Sequence, residues 1–119
     1  MTYVSDIDGT LLRKGVQPIL AAVAKLQQLH TQGQDIVLIT SRPENVRNRT
    51  QVALRNAKIP YNTLLMNTYD STTHGQLASK ENNIRRLMLE RGHIIEAVDN
   101  DPAVQTLYKS LGLNVKGKW

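Results

Sequence analysis

Short β-branched runs alternate along this chain with longer stretches of helical periodicity, and that alternation limits the fold most narrowly. Strands joined by helices cannot pair as hairpins, so the pattern points to a parallel sheet covered by helices. Strands are expected at Thr2–Ser5, Asp35–Ile39, Thr63–Met66, Ile94–Val98 and Leu113–Lys116. The first helix is predicted from Pro18 to about Thr31, where Ile19, Val23, Leu26 and Leu29 share a face and Gly33 ends the run. The second follows Ser41, a possible N-cap, and Pro43, runs to about Ala57, and has Val46, Ala53 and Leu54 to bury. Ser79 is expected to cap a third, with Ile84, Leu87 and Met88 inward and Gly92 as its stop. The fourth opens at Asp101 and Pro102, carries Val104, Leu107, Tyr108 and Leu111, and ends at Gly112. The irregular stretch Asn67–Ala78 is expected to be an exposed loop.

With 119 residues, one core and a single domain over 1–119 are expected. Cysteine is absent, which removes disulfides, thiolate metal sites and a cysteine nucleophile and fits a reducing, cytoplasmic setting. Phenylalanine is absent too, so aliphatic residues must fill the core. No apolar run reaches the roughly 20 residues of a membrane span, so no membrane partner is expected. The formal charge of +5 favours polyanions such as nucleic acid, although solubility alone also accounts for a surplus of that size.

Chemistry is expected where strands end, because ligands of open parallel sheets bind beyond the carboxyl edge. Asp6 and Asp8 follow the first strand within DIDGT, Thr40 ends the second, Lys80 is expected at the start of the third helix, and Asp99-Asn100-Asp101 follow the fourth strand. Clustered carboxylate and amide oxygens suit magnesium, whose charge outweighs the repulsion of paired acids. A lysine and a hydroxyl beside such an ion would bind phosphate. One carboxylate could then attack phosphorus while the other protonates the leaving oxygen and later deprotonates water. A calcium loop is the competing explanation, and it fails. Counted from Asp6, the sixth and twelfth positions of an EF-hand hold Leu11 and Gln17 instead of glycine and glutamate. A turn of solvated acids is the other alternative. The three histidines, His30, His74 and His93, have no metal-ligand spacing, and only His74 falls near the expected site. Arg47, Arg49 and Arg55 read as a solvated face of the second helix, with nucleic-acid contact as the alternative. Trp119 reads as an end of the sheet or a frayed terminus.

DIDGT resembles the first motif of the haloacid dehalogenase (HAD) superfamily. Leu38–Thr40, Lys80 and Ala97–Asp101 resemble its second, third and fourth motifs in order. The resemblance implies an α/β, Rossmann-like three-layer sandwich with a parallel five-stranded sheet, and a phosphatase that forms an aspartyl phosphate with Mg2+. It implies that Asp6 is the nucleophile and Asp8 the general acid/base, with Thr40 and Lys80 on the phosphoryl group. Metal ligands would be Asp6, Asp8, Asp99 and Asn100. Many relatives carry two adjacent acids where this chain has Asp99 and Asn100. The segments Ile39–Asn67 and Ala97–Val115 are similar to the 3′-phosphatase domain of phage polynucleotide kinases, which implies substrate contacts at Ser41 and Arg42 beside Thr40 and Lys80. Larger members insert a cap domain after the first motif or between the second and third, and both intervals are short here. An uncapped site suits a 3′-phosphorylated DNA or RNA end. The alternatives are a small phosphomonoester enclosed by a second subunit and a binding module without catalysis.

Overall fold

A computed structural model describes all residues 1–119. The five expected strands appear as β1 (Thr2–Ser5), β4 (Asp35–Pro43), β5 (Thr63–Asn67), β6 (Ile94–Val98) and β7 (Val115–Lys116). They form one sheet in the order β5-β4-β1-β6-β7, every pair parallel. Parallel neighbours need crossovers, and the helices supply them: α1 (Leu20–Thr31), α2 (Arg47–Asn56), α3 (Thr73–Arg91) and α4 (Pro102–Ser110). Alternation along β4 shows both faces covered. Ile36 and Leu38 pack with Val23, Leu26 and Leu54 of α1 and α2, whereas Val37 and Ile39 pack with Ile84, Leu87 and Val104 of α3 and α4. The expected three-layer sandwich with a parallel five-stranded sheet is therefore present, and neither short interval holds a cap.

Three helix starts differ from expectation, each for a local reason. Pro18 does not open α1. Residues Leu12–Arg13 (β2) and Gln17–Pro18 (β3) form a small antiparallel hairpin between β1 and α1, and its turn places Lys14 and Gly15 at positive φ. Ser41 does not cap α2, because β4 continues to Pro43 and a 3-10 turn at Glu44–Val46 precedes the helix. The third helix begins at Thr73, six residues before Ser79, so the second half of the expected loop Asn67–Ala78 is helical. Thr72 is its N-cap and accepts the Gly75 amide. A Cβ on Gly75 would overlap Asp70, whose carboxylate binds Thr72; the glycine there serves close packing of a cap. Lys80 consequently stands two turns into α3 and not at its start. Trp119 is not frayed: its indole N–H donates to Ser5 Oγ at 2.8 Å and its ring packs against Tyr3.

Candidate active site

β1 is the central strand, so the residue after it emerges between the ends of β4 and β6. That residue is Asp6, whose amide donates to Val98 O at 2.9 Å and thereby extends the β1–β6 ladder by one step. Asp6 is buried, as are Asp99 beyond β6 and Lys80 from α3. Lys80 Nζ donates to Asp6 Oδ1 at 3.0 Å and to Asp99 Oδ2 at 2.5 Å. Burial pushes the Asp6 carboxyl up to about 6, with Lys80 opposing the rise and Asp99 adding to it. Burial alone would lower the lysine, but Asp6 and Asp99 together hold it above its ordinary value. A cation shared between two buried carboxylates is a strongly coupled unit.

Asp8 is placed differently. Its side chain is half exposed, and both oxygens accept from Arg42, Oδ2 from Nε and Oδ1 from Nη2, each at 2.8 Å. The same Arg42 Nη2 donates to Gly15 O at 2.9 Å, tying the tip of the β2–β3 hairpin to the acid. The fork fixes the orientation of the Asp8 carboxylate. Proton delivery would require Arg42 to release one oxygen.

Gly9 turns the chain after Asp8 at φ +78°, and a Cβ there would run into the Asn100 side chain. Asn100 is wedged against the loop for that reason. With its amide nitrogen inward it donates to Asp6 Oδ2 at 2.9 Å and to the Asp8 carbonyl at 3.1 Å. With its oxygen inward it has only a long contact from the Thr10 hydroxyl, at 3.5 Å, and faces two further oxygens, an arrangement that a cation would satisfy. No three acidic, histidine or cysteine side chains are grouped for a metal, so a cation would also rely on amide and backbone oxygen. Asp99 is already engaged at both oxygens, by Lys80 and by the Asp101 amide. The oxygens nearest one another thus belong to Asp6, Asp8 and Asn100, with Asp99 behind them. They fit a hard divalent ion.

The cleft is about 400 Å³ and is lined by Asp6, Asp8, Ser41, Lys80, Asp99, Asn100, Asp101 and Pro102. Of the residues expected from sequence, Asp6, Asp8, Lys80, Asp99, Asn100 and Ser41 converge here. Arg42 reaches the cleft through Asp8. Thr40 is buried and does not line it; its Oγ1 accepts the Arg42 amide at 3.1 Å. His74 is exposed on the first turn of α3 and does not line it either. Thr10, missed in the sequence, brings its hydroxyl to 3.4 Å from Asp6 Oδ2. Threonine in the DIDGT motif was the available signal. A larger cavity of about 600 Å³, lined by His30, Arg55, Lys58 and Tyr61 among others, lies at the amino-terminal edge of the sheet and contains no carboxylate. Of the two, only the smaller cleft gathers carboxylates.

The sequence profile of the haloacid dehalogenase-like hydrolases matches residues 3–91. The chain belongs to that family. As a haloacid dehalogenase-like hydrolase it is an enzyme. Among solved structures, a chain of the Pnkp1/Rnl/Hen1 RNA repair complex is 21% identical with a TM-score of 0.77, covering 99% of this chain and 42% of that one. A second structure of the Pnkp1/Rnl/Hen1 complex gives 21% identity and a TM-score of 0.73, covering 99% and 46%. This haloacid dehalogenase-like chain thus spans less than half the length of these two solved chains. Comparison with curated proteins gives no match.

Proposed function

We propose that this hydrolase is a magnesium-dependent phosphomonoesterase that forms an aspartyl phosphate at Asp6, and that its substrate is a 3′-phosphorylated nucleic-acid end. The observation that carries the chemistry is the pair Asp6 and Asp8: one carboxylate buried and held by Lys80, the other half exposed and oriented by Arg42. Asp6 attacks phosphorus; the bond to the ester oxygen breaks, and that oxygen leaves with its electron pair and a proton from Asp8. Asp8 then removes a proton from water, the water oxygen attacks phosphorus, and the bond to Asp6 breaks. Phosphate leaves and both aspartates return to their starting forms. Lys80, buried between Asp6 and Asp99, is fixed in advance where negative charge builds on the phosphoryl oxygens. Ser41 lines the same cleft and can donate to the phosphoryl group, while Thr40 braces the strand end that presents Ser41 and Arg42.

Asp6, the Asp8 carbonyl and Asn100 would hold the magnesium ion, with Asp99 orienting Lys80 behind them. When bound, the ion neutralises the phosphate and polarises its oxygens.

Three features support a nucleic-acid end as the substrate. The cleft has no cap over it, so a polymer terminus can enter. The surface carries a surplus of cations. The fold is shared with a chain from an RNA repair complex. The test compares a 3′-phosphorylated oligonucleotide with a panel of small phosphomonoesters, with and without magnesium, in the native protein and in Asp6→Asn. Magnesium-dependent turnover with preference for the oligonucleotide, abolished in a folded Asp6→Asn protein, is expected. Preference for small esters would overturn the substrate, and turnover by Asp6→Asn would overturn the mechanism.

A further inference from the structure

A second cavity of about 310 Å³ lies directly behind the loop that carries Asp6 and Asp8. Gly9 and Thr10 form its wall on the side of the reaction cleft, Arg13 projects from the hairpin, Ile19 supplies the floor, and Lys118 and Trp119 complete the rim. Thr10 faces both spaces, since it lines this cavity while its hydroxyl lies 3.4 Å from Asp6 Oδ2. The wall is one residue thick. Whatever sits in the second cavity is therefore a single monomer's step from a phosphoryl group at Asp6.

The lining is unusual for packing. Arg13 and Lys118 are exposed, and every ion pair in the protein belongs to other cations, so both charges are uncompensated. Trp119 is held before any ligand arrives, by its bond to Ser5 and its contact with Tyr3. Two free cations around a fixed indole are the elements with which single-stranded nucleic acid is bound: charge for the backbone, an aromatic face for the base.

We propose that this cavity receives the nucleotide adjoining the 3′-terminal phosphate, its base against Trp119 and its backbone phosphate between Arg13 and Lys118. The proposal rests on the nucleic-acid reading of the reaction cleft and adds a subsite to it. It makes the enzyme sensitive to the last base of the strand, which a cleft that grips only phosphate is not.

Trp119 is the chain's single tryptophan, so its emission reports occupancy of the cavity without any turnover. A 3′-phosphorylated oligonucleotide, the same strand with an abasic terminal residue, and inorganic phosphate are titrated into Asp6→Asn protein. Saturable change in emission with the intact strand only is expected. Trp119→Leu should weaken that strand's binding roughly 5- to 150-fold. Arg13→Ala and Lys118→Ala should each reduce the slope of log affinity against log salt, and the double variant should reduce it by about 0.7, the value for one phosphate contact on a single strand. All three substitutions should leave hydrolysis of p-nitrophenyl phosphate unchanged. Arg13 is exposed on a hairpin, so its variant remains informative if Trp119→Leu fails to fold. Binding or hydrolysis of the strand with unchanged emission, or equal losses on strand and aryl ester, would overturn the subsite. Emission that responds in a protein hydrolysing no ester would uphold the subsite and overturn the phosphatase reading instead.

Discussion

Replacing Lys80 by Met should destabilise the metal-free protein in a way that depends sharply on pH. Lys80 is the only group between the Asp6 and Asp99 carboxylates, at 3.0 Å and 2.5 Å, and all three side chains are buried. Methionine keeps the volume but leaves two buried acids facing one another. Breaking a buried ion pair by removing one partner costs about 3–5 kcal/mol. An entropy of unfolding near 2.1 cal/mol/K per residue gives roughly 250 cal/mol/K for a chain of 119 residues, so the melting temperature should fall by about 12–20 °C. The sign of the pH dependence follows from Asp6. Its folded value of about 6 lies above the unfolded 3.8, so the native state holds a proton there that the unfolded chain has released. Asp6 by itself therefore makes stability fall as pH rises between about 4 and 6. Without Lys80 that window extends upward, because one of the two acids must be protonated to relieve the repulsion. Urea unfolding should show the deficit of Lys80→Met at its largest near pH 7 and shrinking toward pH 4.5, with Lys80→Met/Asp99→Asn recovering most of it. A deficit below about 1 kcal/mol at pH 7, or one unchanged by pH, would refute the coupled cluster.

Because Arg42 orients the Asp8 carboxylate toward the cleft, Arg42→Ala should reduce kcat on an alkyl phosphate by about 100-fold, within the range of general acid–base catalysis, and at least tenfold less on an aryl phosphate whose leaving group needs no proton. Equal losses would show that Arg42 binds substrate and does not act through Asp8. Gly9→Ala should cost about 1–3 kcal/mol from backbone strain and displace Asn100, so the rise in melting temperature on adding magnesium should be much reduced. Gly33→Ala is its control, with a similar φ of +77° and open space around it, and should keep the full magnesium response. Ser79→Ala should leave stability unchanged or raise it by up to about 1 kcal/mol in urea unfolding, since its buried hydroxyl has no partner.

The sheet and the motif residues at its carboxyl edge were legible in the sequence because they rest on period-2 runs and on short motifs that follow them directly. Asp6, Asp8, Asp99 and Asn100 are within three residues of a strand end, so placing the strands placed them. Lys80 was found for its motif but set in the wrong context. The segment before it is rich in threonine, glycine and serine, which reads as loop, whereas Thr72 and Gly75 are spent on one helix cap. The β2–β3 hairpin was invisible for a different reason. Two-residue strands have no periodicity to detect, and the bond from Arg42 to Gly15 that anchors their tip spans 27 positions. The same holds for the Arg42–Asp8 pair, 34 positions apart, and for Trp119 and Ser5, 114 apart. Contacts of that range are decided by the assembled fold and leave no local signal.

The bond from the Asp6 amide to Val98 O has a consequence for motion. Lying at the end of the central strand, that amide should exchange its hydrogen only when the whole sheet opens, whereas the amides of the hairpin tip should exchange through small local fluctuations. Between Asp6 and Gly15 the chain thus passes from its slowest-breathing point to one of its fastest. On the proposed mechanism, this arrangement would keep the attacking carboxylate stationary and let the surrounding rim do the adjusting, so that different strand ends could be accommodated without disturbing the line of attack.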